Sequence, residues 1–325
     1  MQTRDEFVAH CSPRWHELET LLSDDRNLHA LPAPTISRIA TLYRAVCADL
    51  MRARSLGCGS DVTGHLDAIA GRAHNVLYGP EPYRLHAAWQ LVARDFPRTL
   101  RQSWRFFAIS SALFCLPLAL GLAGALSSPD FAYGVLPQSA LEQAAESYAE
   151  GFGSGRGEGQ DSMMAGFYVY NNVGIAFRCF ATGILFGVGS IFFLIYNGLV
   201  IGTVLGHVIA SGSGHNILTF VSGHGPFELT AIVISGAAGL KMGWALIDTE
   251  GRTRIGSLRA QSRDLVNLIV GAALMLILAA LIEGFWSPSG APAEVKWGFA
   301  AAASVFVIVY LGLAGRRRSR EPVSA

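Results

Sequence analysis

The chain has 325 residues, of which 51% are hydrophobic and 15% are charged, and its formal net charge is +1. Soluble domains average roughly 25% charged residues, so this composition excludes a protein that is soluble along its whole length. A net charge so close to zero provides no electrostatic basis for binding nucleic acid, and we expect no nucleic-acid partner.

The beginning of the chain has the pattern of a soluble helical domain. Apolar residues recur at steps of three and four, which predicts helices over residues 3–22, 35–55 and 61–77. A fourth helix is predicted to start near Pro82 and to continue into the first apolar run. We therefore expect a helical head that comprises residues 1–104.

Uncharged apolar runs follow the head. Residues 106–126 contain no charge, and a helix needs about 20 such residues to cross a bilayer. Similar runs occupy residues 172–196, 226–247, 265–282 and 297–315, with a shorter one at 199–211. The short run either crosses the membrane or is a re-entrant segment. The sequence thus predicts an all-α polytopic membrane bundle of about six spans over residues 105–315.

The charges between the apolar runs predict which side of the membrane each segment faces. Basic residues are concentrated before the first span, in residues 248–264 and in the tail 316–325, whereas residues 127–170 are mainly acidic. Arg and Lys near span ends favour the cytoplasmic side. With six crossings the basic segments share one side. We therefore expect a bacterial inner-membrane protein with both termini in the cytoplasm and residues 127–170 outside.

The acidic segment 127–170 is the main part of the chain expected outside the membrane. It is predicted to contain an amphipathic helix over residues 138–152, followed by a glycine-rich stretch over residues 153–159. No strand precedes these glycines and no Gly-Lys-Ser/Thr follows them, so they indicate a linker and not a phosphate-binding loop. Long loops of this kind commonly bind partners.

Glycines inside the apolar runs are spaced at intervals of four residues. Small residues at this spacing let membrane helices approach closely, because no side chain keeps their backbones apart. The alternative is that the glycine backbone lines a permeation path, but helix packing is favoured. The glycines concerned are Gly183, Gly187, Gly198, Gly202, Gly206, Gly239 and Gly243.

Polar side chains inside the apolar runs form the main candidate site. Arg178 is costly in a membrane helix and needs a partner, for which Glu228 and Glu283 are available. His224 and Glu228 are four residues apart and share a helical face. The residues expected to assemble are Asn171, Asn172, Arg178, Asn197, His224 and Glu228.

Two interpretations of this polar cluster are open, namely a clamp that holds helices together or a site that handles protons or metal ions. The segment from His224 to Glu228 is not a His-Glu-x-x-His metalloprotease signature. The five cysteines form no CxxC pair and are expected to be reduced packing residues. We favour the clamp, and expect no catalytic residue, no metal site and no cofactor.

Several short motifs occur together in the membrane part. They are Asn171-Asn172, Ala176-Phe177-Arg178, Gly183 with Gly187, Asn197-Gly198, His224-Gly225-x-x-Glu228-Leu229, and Gly236 with Gly239. In this combination residues 105–315 resemble the stage II sporulation protein M family. The head is similar to the N-terminal region of longer, non-sporulating bacterial members, through Trp15-x-x-Leu18-Glu19, Leu42-Tyr43-Arg44 and Arg72-Ala73-His74.

The resemblance carries an expectation about function. The sporulation member of that family is a multi-pass membrane scaffold that anchors cell-wall-degrading partners at the engulfing septum. The resemblance therefore implies an integral membrane scaffold without enzymatic activity, linked to remodelling of the cell envelope. The short sporulation member lacks the cytoplasmic head, and nothing in this sequence points to sporulation, so the wall-degrading partners are not carried over.

We accordingly expect a scaffold in contact with membrane lipid and with unidentified protein partners on both membrane faces, with homo-oligomerisation left open. The second hypothesis is a transporter or channel that uses Arg178, His224 and Glu228 within the membrane. Ion flux that disappears when Glu228 is neutralised would distinguish the two.

Overall fold

The computed structural model describes residues 4–23, 32–78, 85–150 and 158–316. Helices account for nearly all of these residues, and no strand occurs among them. This confirms the predicted all-α class.

The chain divides into two compact units, Met1–Arg84 and Leu85–Ala325. The first unit corresponds to most of the predicted head. The second contains every long apolar run, and it also includes the short helical pieces that precede the first span. The predicted start of the fourth head helix near Pro82 and the tail beyond residue 316 lie outside the described residues.

The described part of the N-terminal unit consists of the helices α1 (Arg4–Leu22), α2 (Ala33–Ser55) and α3 (Ser60–Tyr78). These bounds agree with the predicted helices to within two residues. Each helix turns one apolar stripe towards a shared core, as the three- and four-residue periodicity requires. The fully buried side chains of this core include Phe7, Leu18, Ile39, Val46, Leu66 and Ile69.

A buried carboxylate joins α1 to α2. Asp49 is 5% exposed, and it accepts hydrogen bonds from Arg14 Nε at 2.7 Å and from Trp15 Nε1 at 2.8 Å. Arg14 Nη2 donates to the second carboxylate oxygen of Asp49 and also contacts the sulfur of Cys11. Burial, followed by the charge of Asp49, raises the pKa of the Cys11 thiol, so Cys11 is a protonated packing residue.

The second unit is a helical bundle. Its helices are α4 (Leu85–Gln90), α5 (Phe96–Gln102), α6 (Trp104–Ser127), α7 (Pro129–Val135), α8 (Gln138–Ser147), α9 (Glu158–Ala181), α10 (Val188–Val208), α11 (Gly214–Val221), α12 (Gly225–Ile247), α13 (Arg254–Leu281) and α14 (Ala293–Leu313). Five segments of the described chain are long and apolar enough to cross a membrane, namely α6, α10 with α11, α12, α13 with the turn after it, and α14.

The fourth predicted helix does not run unbroken into the first span. A π-bulge, Leu91–Asp95, lies between α4 and α5, and the backbone keeps helical dihedral angles at Gln90 and Phe96 on either side of it. Ser103, which has φ −96° and ψ 21°, then separates α5 from α6. The first span therefore begins at Trp104 as a helix of its own, after two short pieces that pack with the bundle.

The predicted boundary between the second and third apolar runs is wrong. The run 172–196 is not one helix, because α9 ends and the chain reverses before α10 begins. The short run 199–211 belongs mostly to α10, a 21-residue helix that is long enough to cross the membrane by itself. The short run is therefore part of a longer segment that has the length and composition of a membrane span. The sequence does not mark the reversal, since residues 179–187 contain neither a charged residue nor a proline.

The reversal between α9 and α10 is a tight turn pressed against α12. Phe186 and Gly187 have positive φ angles, 53° and 84°. A Cβ added at Gly183 would lie 2.2 Å from the carbonyl oxygen of Gly239, and one at Gly243 would lie 2.2 Å from the amide nitrogen of Gly187. Only glycine fits on both sides of this contact, because any side chain would overlap the opposing backbone.

Three glycines of α10 touch the backbone of α6 at successive turns. A Cβ added at Gly198 would lie 2.3 Å from the carbonyl oxygen of Phe114, and one at Gly202 would lie 2.1 Å from that of Leu118. Gly206 makes the same close approach one turn further along. Because residue numbers rise together along the two helices, α6 and α10 run parallel.

Parallel packing of α6 and α10 requires the intervening chain to return along the bundle. The described helix that returns is α9, which packs against α10, α12 and α13. Asn172 contacts Glu283 near the end of α13, and the carbonyl of Cys179 accepts a hydrogen bond from Ser190 near the start of α10. Helix α9 is not among the five segments that are long and apolar enough to cross a membrane, so the count of about six spans stays a prediction.

Basic residues lie where α6 begins and α14 ends. Arg101 donates hydrogen bonds of 2.6 Å to the carbonyls of Leu311 and Ala314. Lys241, near the end of α12, forms an ion pair with Asp264 on α13. We call the end of the bundle that holds Arg101 and Lys241 the basic end. The opposite end, where α12 begins, is the polar end.

The acidic segment packs as two short helices, α7 and α8, beside α10. Leu141 of α8 is fully buried, and Asn216 of α11 donates a 2.8 Å hydrogen bond to the carbonyl of Tyr148. The predicted amphipathic helix over 138–152 is shorter than expected, since α8 ends at Ser147. Residues 153–157 of the predicted linker lie outside the described residues.

Candidate functional site

Three ionisable side chains meet at the polar end of the bundle. His224 directly precedes α12 and Glu228 follows one turn later, so the two side chains share a face. Glu283 lies in the π-turn Ile282–Trp286 that ends α13. The extra residue in such a turn re-aims the side chains of a helix, which is why π-turns are frequent at functional sites. We call these three residues the His-Glu-Glu cluster.

The members of the His-Glu-Glu cluster face one another at separations longer than a hydrogen bond. His224 Nε2 is 3.8 Å from Glu228 Oε2 and 4.0 Å from Glu283 Oε1. His224 and Glu283 are 4% and 8% exposed, and the Glu228 side chain is 14% exposed. One imidazole and two carboxyl groups are therefore enclosed by protein around a common point.

Helix α9 contributes amide groups to the cluster. Asn172, which is 4% exposed, donates from Nδ2 to Glu283 Oε2 at 3.4 Å. Asn171 donates to Asn172 Oδ1 at 3.2 Å. The two asparagines thus form a chain of hydrogen bonds that orients one oxygen of Glu283 towards α9 and leaves the other facing His224.

The loop between α13 and α14 supports the cluster from the opposite side. His224 Nδ1 lies 3.1 Å from Ser287 Oγ. Ser287 is buried, with 1% of its surface exposed. Lys296 of α14 donates 2.7 Å hydrogen bonds to the carbonyls of Ser287 and Ser289. These bonds fix the loop, and the loop in turn fixes the orientation of the imidazole ring.

The structure brings together four of the six residues that the sequence predicted as a polar cluster, namely Asn171, Asn172, His224 and Glu228. Arg178 is exposed on α9 near Gly174, and the ion pairs described for both carboxylates involve His224 instead. Asn197 donates to the carbonyl of Phe193 within its own helix. Arg178 and Asn197 therefore lie apart from the cluster.

Sequence reasoning missed three contributors to this site. Glu283 was considered only as a partner for Arg178, and Ser287 and Lys296 were not considered. Glu283 ends one apolar run and Lys296 precedes another, and ionisable residues in such places are a recognised signal of function. The signal could have identified them as candidates, but their common location depends on how α12, α13 and α14 pack.

The arrangement can bind a proton or a cation. Two carboxyl groups enclosed in a medium of low polarity repel each other when both are ionised, and a shared positive charge removes that repulsion. The imidazole supplies a nitrogen lone pair beside them. Among the described residues, His224, Glu228 and Glu283 form the group whose donor atoms all lie within 4.8 Å of one another and could hold a metal ion.

Long apolar helices packed around a buried polar cluster define the class of this protein, which is a polytopic α-helical membrane protein. The chain belongs to the stage II sporulation protein M family, whose sequence profile matches residues 110–288, more than half of its length. This confirms the predicted resemblance. A second profile, a domain of unknown function (DUF8413), matches residues 5–79, which corresponds to the N-terminal unit.

The chain is also similar to an archaeal protein. An uncharacterised protein of Methanocaldococcus jannaschii is 27% identical over 123 residues, which cover 36% of this chain and 67% of the relative. No solved structure matches the chain.

Proposed function

We propose that this protein is a non-enzymatic scaffold of the bacterial inner membrane that holds protein partners on both membrane faces, in a role linked to remodelling of the cell envelope. The observation that carries the proposal is the backbone-to-backbone packing of the bundle. Gly202 meets the backbone of α6 without an intervening side chain. In the same way, Gly183 of the turn meets the backbone of α12, and Gly243 of α12 meets the backbone of the turn.

Packing of this kind holds helices in fixed relative positions. Sliding or rocking of α6 against α10 would drive the carbonyls of α6 out of the glycine groove and lose the close contacts that replace the hydrophobic effect in lipid. Transporters require one helical group to move against another around a central site. A rigid bundle favours a stable platform, to which the compact N-terminal unit and the acidic segment are attached as binding modules.

Site-specific photo-crosslinking in native membranes tests the scaffold. We expect a photoreactive residue at Met51, which is 65% exposed in the N-terminal unit, and one at Glu146, exposed in the acidic segment, to form discrete protein adducts. The matched control is Leu120, 60% exposed on α6, where only lipid or a second copy of the chain should be captured. If Met51 and Glu146 yield no protein adduct at native expression, the scaffold proposal is wrong.

The alternative function is ion or proton transport, and the buried His-Glu-Glu cluster is the observation that favours it. Flux measured in proteoliposomes distinguishes the two. The scaffold predicts that wild-type protein conducts no more than empty liposomes and that Glu228→Gln leaves this background flux unchanged. A cation or proton flux that is present in wild type and lost in Glu228→Gln would establish transport instead.

The proposed orientation places both termini, the head and the basic end of the bundle in the cytoplasm. In a background without native cysteines, we expect Glu250→Cys, between α12 and α13, to react with a membrane-impermeant maleimide only after the cells are opened. We expect Glu146→Cys to react in intact cells, because an exposed thiol outside the membrane is accessible. Labelling of both from the outside would contradict the proposed topology.

A further inference from the structure

The His-Glu-Glu cluster has the donors and the surroundings of a metal centre. We propose that His224, Glu228 and Glu283 bind one divalent transition-metal ion, with Zn²⁺ as the best fit, and that this ion joins α12 to the end of α13. The sequence alone had favoured a clamp without metal. The inference does not depend on the scaffold role, since a structural ion could support either proposed function.

The geometry is close to that of a coordinated ion. Nitrogen and oxygen ligands lie about 2.0–2.2 Å from Zn²⁺, so that two ligands of one tetrahedral ion are about 3.4 Å apart. The observed distances from His224 Nε2 are 3.8 Å to Glu228 and 4.0 Å to Glu283. All three donor atoms lie within 4.8 Å of one another, so side-chain adjustments of up to about 1 Å would bring them onto one ion. A fourth position remains for water.

The neighbouring groups orient the ligands. When Nδ1–H of His224 donates to Ser287 Oγ, at 3.1 Å, the lone pair of Nε2 faces the two carboxylates. A second hydrogen bond of this kind is the usual companion of a metal-binding histidine. Asn172 engages the far oxygen of Glu283, leaving Oε1 towards His224. Each of these two ligands is thus held by its own partner.

Charge also favours a divalent cation. Two carboxylates enclosed by protein at this depth are expensive when ionised, and an ion of charge +2 neutralises both together. The imidazole in the donor set selects against Mg²⁺ and Ca²⁺, which prefer oxygen ligands alone, and suits Zn²⁺. The side chain of Lys296 is directed to the carbonyls of Ser287 and Ser289, where it holds the loop that supports His224.

The test uses the full chain purified in detergent, stripped with chelator and dialysed against ZnCl₂. We expect one Zn²⁺ per chain by mass spectrometry of the metal content, and a higher unfolding temperature with Zn²⁺ than without. His224→Ala and Glu283→Gln should each weaken Zn²⁺ binding roughly 100-fold or more. The matched control is His215→Ala, because His215 is exposed near the same end of the bundle and should retain one Zn²⁺ per chain.

Two results would overturn the proposal. One is wild-type protein that keeps less than a tenth of an equivalent of Zn²⁺, which does not depend on whether any variant folds. The other is Zn²⁺ retained equally by His224→Ala, Glu283→Gln and His215→Ala. Co²⁺-loaded wild type provides an independent readout, and we expect it to show the visible absorption of a four-coordinate site with nitrogen and oxygen ligands.

Discussion

Gly202→Ala is expected to destabilise the membrane bundle by about 3 kcal/mol, at the upper end of what overpacking usually costs. The new Cβ would lie 2.1 Å from the carbonyl oxygen of Leu118 and 2.8 Å from its carbonyl carbon. These are backbone atoms inside a helix, so they cannot rotate away as a side chain could. The two helices must separate, and the neighbouring contact of Gly198 with Phe114 weakens with them.

The measurement is unfolding of the purified protein by denaturant in mixed micelles. Gly298→Ala and Gly312→Ala in α14 are the controls, because a Cβ at either position meets no atom within 4 Å. They should be neutral or stabilising by up to about 1 kcal/mol through helix propensity. Adding Leu118→Ala to Gly202→Ala should not restore stability, since the clash is with the backbone. If Leu118→Ala restores the stability lost in Gly202→Ala, the loss does not come from contact with the backbone of α6.

Asp49→Ala is expected to weaken the N-terminal unit by about 3 kcal/mol, because it removes one partner of a buried charged network. Asp49 accepts hydrogen bonds from both the guanidinium of Arg14 and the indole N–H of Trp15. Trp15 is 4% exposed, so its N–H would be left buried without an acceptor. A helical unit of this size has a total stability of only some 5–10 kcal/mol, and the loss is a large fraction of it.

Hydrogen exchange followed by mass spectrometry on the full chain measures this effect without isolating the unit. Amides of α1 to α3 should lose protection by about 150-fold in Asp49→Ala, which corresponds to about 3 kcal/mol, while amides of α12 stay unchanged. Glu17→Ala is the control, since the pair of Glu17 with Arg38 is largely exposed and such pairs contribute little. Equal losses in the two variants would show that burial of Asp49 is unimportant.

The head illustrates how much a sequence can reveal when the surrounding solvent is water. The bounds of its first three helices were predicted to within two residues, because burying an apolar face on one side leaves a three- and four-residue periodicity in the sequence. The role of Asp49 was not predicted. A carboxylate on a helix surface and one enclosed by Arg14 and Trp15 look the same in sequence, and only the packing of α1 on α2 separates them.

The membrane unit shows where the same reasoning fails. A helix surrounded by lipid can be apolar on every face, so the pattern that would have marked the turn between α9 and α10 is absent. The glycine spacing was more informative, because a residue without a side chain allows close helix packing in lipid as well as in a protein core. Gly183 and Gly187 were identified as packing positions, but the sequence did not indicate that they belong to a reversal and not to one continuous helix.

The amino-acid order alone established that lipid surrounds most of this chain, that its structure is helical, and that small residues let its helices approach. Those properties follow from summed hydropathy and local spacing, which need no knowledge of distant neighbours. The tertiary structure decided that His224 and Glu228 meet Glu283, because this contact depends on the packing of α12 against α13. It also decided that Arg178 lies apart from these residues. A polar side chain in a membrane helix must find its partner on another helix, and local spacing does not specify which one.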